Sequence, residues 1–120
     1  MKADKRGAAL NLDIGNPLNS DNVIKFLDGS SRSETMLRSA KIGFGTYHEG
    51  WKWSLHAGTQ TGKSSGRHIG YILSGHMVIR DAAGIEREVG PGQAFEVGPG
   101  HDAWVIGCES CIALDFTNVG

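Results

Sequence analysis

Five histidines, two cysteines and a Gly-Lys-Ser run are the residues of this chain whose types suit chemistry. Cys108 and Cys111 stand in GCESC with the two-residue gap of redox and zinc motifs, in which a thiolate is the nucleophile or ligand. With no second pair and no strand-to-helix context, they read as a turn cysteine and a small apolar residue opening the strand CIALDF. Gly62-Lys63-Ser64 resembles the end of a phosphate-cradling loop, but the earlier glycine is missing at its offset, so phosphate binding is not expected. Lys63, Ser64 and Ser65 have no base beside them at nucleophile spacing, so covalent catalysis is not expected either. Asp102 follows a turn and is expected to cap backbone amides. Imidazoles remain. A neutral ring can act as a base, accept a hydrogen bond or ligate a transition metal. His48 and His76 fall at strand ends and are expected on the surface, which leaves His56, His68 and His101.

The elements that must position them are strands. Gly50 to His56 alternates as a strand would, with Trp51, Trp53 and Leu55 on one face and Lys52, Ser54 and His56 on the other. A polar loop of composition AGTQTGKSSGR follows. Residues 68–73 and 76–81 read as strands joined by a bend at Ser74-Gly75, and Ala82-Ala83-Gly84 closes a hairpin onto 85–89. Gly90-Pro91-Gly92 and Gly98-Pro99-Gly100 turn the chain into two further strands, and CIALDF is the last. Upstream, residues 34–47 read as one or two strands around Gly43 and Gly45, VIKFL (23–27) as a short strand, and Asn11 to Ile14 as a short extended piece. Eighteen glycines in 120 residues, about twice the usual ~7%, punctuate these runs. No helical period is seen, so no helix is expected. The sum is an all-β sandwich or barrel.

At 120 residues one domain is expected, with residues 1–33 as an N-terminal extension whose short strands pack on a barrel formed by 34–120. Twelve basic and thirteen acidic residues are dispersed along the chain, which argues against nucleic acid as a partner. The basic cluster Lys2, Lys5 and Arg6 reads as a solvated end. No apolar run approaches the roughly 18–20 residues that span a bilayer, and no apolar segment follows the charged start. A cytoplasmic protein without a membrane partner is the expectation, and two cysteines make no disulfide framework.

Two segments resemble the paired motifs of the cupin superfamily. Gly50 is followed after five residues by His56, and His68 after six by Gly75; Gly92 leads to Gly98-Pro99-Gly100, Ala103 and Gly107 at the second motif's offsets. Trp51-x-Trp53 and Pro99-Gly100-His101-Asp102-Ala103-Trp104 are similar to those of a group of short, stand-alone bacterial cupins, over roughly Asn11 to Phe116. The resemblance implies a double-stranded β-helix, a jelly-roll barrel open at one end. It also shows departures: Gly58 stands for the first motif's second histidine, His68 for its glutamate, Ala103 for the second motif's histidine and Gly107 for its asparagine.

On that resemblance, His56, His68 and His101 are the candidate metal ligands, with His101 reaching the face of Ala103 two residues on. Three imidazoles suit Zn or Fe better than an oxygen-seeking ion. Of the aromatics, core or dimer-interface packing is expected for at least two, while Trp53, Trp104 and Tyr71 are the candidate ligand-binding residues for a planar or apolar molecule. The functional expectation is a small-molecule-binding cupin with a degenerate three-His site. The alternative is a metal-dependent dioxygenase, isomerase or decarboxylase acting on a small organic acid or phenol. A homodimer is expected, since open sheets present edges that pairing can cover.

Overall fold

A computed structural model describes residues 11–62 and 65–118. Glycine turns divide the apolar runs into nine strands: β1 (Asn22–Lys25), β2 (Ser31–Met36), β3 (Ala40–Tyr47), β4 (His68–Ser74), β5 (His76–Arg80), β6 (Glu86–Val89), β7 (Ala94–Val97), β8 (Asp102–Ile106) and β9 (Cys111–Asn118). Every pairing among them is antiparallel. Six strands form one sheet in the order β1-β2-β3-β9-β4-β7, and three form the other in the order β6-β5-β8. The sheets share a core in which Ile72, Cys111 and Ala113 meet Met77, Ile79, Ala103 and Val105. This is the expected all-β jelly roll.

The turns carry the strain that only glycine accepts. Gly75, which closes the first motif, has φ +77°, and a Cβ there would run into the backbone of Ser110 and Cys111. The connection between β4 and β5 therefore passes flush against the start of β9. At the other end of the large sheet, β2 runs without a break through residues 33 and 34, and β1 pairs along it, so the upstream strands continue the sheet. Gly15 lies against Thr35, and Ser33 Oγ donates to the Pro17 carbonyl, which ties the segment before β1 across β2.

One segment departs from its pattern. The alternation over 50–56 predicts a strand, but pairing lasts only to Lys52, which bridges Trp104 while Val105 N–H donates to the Trp51 carbonyl at 2.9 Å. Residues Trp53–His56 then wind into a helical turn, and a second turn, Gly58–Thr61, follows and ends on Gly62 in the left-handed region. The cause is tertiary. The Asp102 carboxylate of β8 accepts from Ser54 N–H at 3.0 Å and from Ser54 Oγ at 2.7 Å, capping the turn from 48 residues away. The expected amide-capping role of Asp102 is thus observed, and the expected absence of helix is corrected.

Candidate functional site

Between the sheets lies a cavity of about 340 Å³, within the range of small-molecule pockets. Its volume comes partly from missing side chains. The inner face of β3 presents Gly43 and Gly45, and that of β4 presents Gly70. A Cβ at Gly43 would collide with the Arg32 guanidinium, one at Gly45 with the Tyr47 ring, and one at Gly70 with the Phe95 ring. Large side chains from neighbouring positions lie flat over these glycines and pave the floor. Phe26, Tyr47 and Trp51 stack into one wall, with Tyr47 and Trp51 centroids 4.4 Å apart and Phe26 edge-on to Trp51 at 5.7 Å. Trp53 and Phe95 extend that aromatic lining, and Met77, Ile79 and Ala103 close the opposite side. Trp51 Nε1–H is buried and has no acceptor among the described residues.

Two polar groups interrupt the apolar lining. The first is an ion-pair network. Arg32 donates bidentately to Asp115, Nε to Oδ2 at 2.8 Å and Nη2 to Oδ1 at 2.5 Å, and Nη1 donates to Glu34. Glu34 also accepts from Asn22 Nδ2 at 3.0 Å and lies 3.7 Å from Lys41 Nζ. Burial opposes the Arg32 charge, but the hydrogen bond and charge of Asp115 outweigh it and hold the guanidinium above its ordinary pKa. Burial, then the charge of Asp115, pushes the Tyr47 phenol up, so it keeps its proton.

The second is a pair of imidazoles. His68 and His101 stand edge to face with centroids 4.9 Å apart. His101 is 5% exposed, and its Nδ1 lies 2.9 Å from the Gly98 carbonyl, which can only accept, so Nδ1 carries a proton. Ser65 Oγ donates to the His101 carbonyl at 2.6 Å, and Gly100 N–H donates to the Ser65 carbonyl at 3.0 Å, which lock the loop to the turn. Burial, followed by the neighbouring His101 and Arg32 against the opposing pull of Asp115, holds the His68 pKa below its usual value. His68 is thereby held toward its neutral form.

Of the expected metal ligands, His68 and His101 are brought together and His56 is not. The helical turn carries His56 away from the cavity lining, and its Nδ1 accepts from Lys52 N–H at 3.0 Å within its own turn. Among the described residues no group of three His, Cys, Asp or Glu side chains is placed to hold a metal ion. Two imidazoles facing one another do not fit the three-ligand set that the resemblance implied. Of the expected ligand-binding residues, Trp53 lines the cavity. Trp104 does not: Ala103 and Val105 take the inner positions of β8, so Trp104 faces out beneath Lys52 Nζ, 4.9 Å from its ring centroid. Tyr71 is likewise outward, between the inward Gly70 and Ile72, and 37% exposed. His48 and His76 are exposed, as expected; so is Cys108, while Cys111 is buried at the head of β9, its thiol raised to about 11 by burial.

Sequence reasoning missed Arg32, Asp115, Phe26, Tyr47 and Phe95. A signal existed for one of them: Asp115 shares the parity of Cys111 and Ala113, so a carboxylate on the inner face could be read from the strand alone.

No protein-family model and no curated protein matches the chain. Solved structures do. A cupin-superfamily sugar phosphate isomerase from Silicibacter pomeroyi is 14% identical with a TM-score of 0.65, over 89% of this chain and 76% of that one. An RmlC-like cupin from Shewanella frigidimarina is 12% identical with a TM-score of 0.62, over 93% of each. KdgF from Halomonas is 17% identical with a TM-score of 0.60, over 82% of this chain and 87% of that one. At these identities the likeness is one of fold: this chain is a small protein of the cupin fold.

Proposed function

We propose that the chain binds a small, flat, mostly apolar molecule that donates a hydroxyl or N–H to the imidazoles of His68 and His101. The observation that carries this reading is the inventory of polar groups in an aromatic cavity. The Arg32 cation is spent on two carboxylates, burial holds His68 toward its neutral form, and His101 gives its Nδ1–H to the Gly98 carbonyl, so the pocket offers imidazole nitrogens to a ligand rather than an unpaired cation. A phenol or enol fits that inventory. A carboxylate or phosphate does not, because it would have to displace Asp115 or Glu34 from Arg32. This also argues against the phosphorylated substrate of the isomerase named above, although the fold is shared.

The test is a thermal-shift series on untagged protein with phenols and with small carboxylates, in wild type, His68→Ala and His101→Ala, together with elemental analysis of each. Phenols are expected to raise Tm in wild type and lose that effect in both variants; at a hundredfold excess over Kd the stabilisation is about 2.7 kcal/mol. Stabilisation by carboxylates alone overturns the reading. Stoichiometric Zn or Fe that disappears in His68→Ala supports the metal-dependent enzyme instead, with ligands beyond the two imidazoles.

A further inference from the structure

The imidazoles account for one end of the proposed ligand, but the cavity wall also holds two donors that the chain leaves unused. Trp51 is 3% and Tyr47 8% exposed, and both line the cavity. Trp51 Nε1–H meets no acceptor, and among the described residues the Tyr47 hydroxyl has no hydrogen-bond partner. Buried polar groups are nearly always paired, so two neighbouring donors without an acceptor mark a place where a ligand oxygen is missing from the count. The two rings are adjacent, with centroids 4.4 Å apart. Glycines set the hydroxyl's position: Tyr47 lies over Gly45, and two residues along the same face of β3 the Arg32 guanidinium lies over Gly43. Burial and then the charge of Asp115 keep the proton on the Tyr47 oxygen, so it stands ready to donate. The same negative charge disfavours an anionic acceptor beside it. His68 feels Asp115 from the opposite side, because β9 lies between β3 and β4 in the sheet.

We infer that the Tyr47 hydroxyl, with Trp51 Nε1–H beside it, forms a second subsite that takes a neutral carbonyl oxygen of the ligand. The inference rests on the reading that the cavity holds a small flat molecule, and it narrows the class of that molecule. One end carries a hydroxyl for the imidazoles, and the other an aldehyde or ketone oxygen for the aromatic wall. A hydroxyaryl ketone or an enolised diketone has both.

Isothermal titration calorimetry on the untagged full chain tests it with phenol, acetophenone, para-hydroxyacetophenone and para-hydroxybenzoate. The hydroxyketone is expected to bind wild type roughly three- to tenfold tighter than phenol, the effect of one neutral hydrogen bond, and tighter than the hydroxybenzoate. Tyr47→Phe should bring the hydroxyketone-to-phenol ratio close to unity. That variant removes only an oxygen without a protein partner, so its Tm without ligand should not fall, and a lost preference is not the result of misfolding. Acetophenone, which has no proton to give, should lose more affinity on Tyr47→Phe than on His68→Ala. Equal binding of hydroxyketone and phenol by wild type overturns the inference, as does a preference that survives Tyr47→Phe, a tighter hydroxybenzoate, or the failure of both ketones to bind. Phenol bound without any gain from the ketone oxygen removes this subsite and leaves the imidazole reading standing; acetophenone bound through Tyr47 with phenol excluded does the reverse.

Discussion

Arg32→Met removes the cation shared by Asp115 and Glu34 in the cavity wall. Both carboxylates are mostly buried, so the variant leaves two negative charges facing each other with little water to screen them; only Lys41, at 3.7 Å from Glu34, remains. Removing one partner of a buried ion pair costs about 3–5 kcal/mol, most of it from the charge left behind. For a domain of this size, that lowers Tm by roughly 10–20 °C. Urea unfolding followed by circular dichroism measures the loss. Adding Asp115→Leu to Arg32→Met should return only the part of the loss due to Asp115, because Glu34 is still left buried without the guanidinium. A loss below about 1 kcal/mol would refute the view that this network is buried and mutually dependent.

Other outcomes follow from the same structure. Gly75→Ala must move backbone atoms of Ser110 and Cys111 and should cost more than about 3 kcal/mol, whereas Gly50→Ala, at φ +84° with open space around it, should cost about 1–2; the urea midpoints decide. Burial holds His68 below its usual 6.5, so the folded chain binds fewer protons than the unfolded one. Stability should then be complete above about pH 6.5 and decline below it, by at most about 1.4 kcal/mol per pH unit until the folded pKa is passed, and His68→Gln should flatten that slope in urea titrations. Trp53→Ala should weaken binding of any cavity ligand in a thermal-shift titration, while Trp104→Ala and Tyr71→Ala, whose rings lie outside, should leave it unchanged.

The strands from β4 to β9 were legible because each is a short apolar or alternating run bounded by turns, most of them built on glycine. The meeting of His68 with His101 was legible for a related reason, since their motif positions fix strand and parity. His56 was misplaced because its alternation is equally compatible with one helical turn, and the choice was made by Asp102, a residue 48 positions away. Arg32 and Asp115 lie 83 positions apart and meet only through the registers of β2, β3 and β9.

What the amino-acid order determined by itself is a period-two pattern cut by glycines, and hence an antiparallel barrel with its turns in place. Only the tertiary structure decided which face of each strand is inside. On β3, β9 and β4 both faces lack charge except at Lys41 and Asp115, so hydrophobicity could not tell Tyr71 from Ile72 or the cavity wall from the outer sheet. Register decides it, because a strand whose two faces are nearly equal in polarity takes its orientation from its neighbours rather than from its own residues.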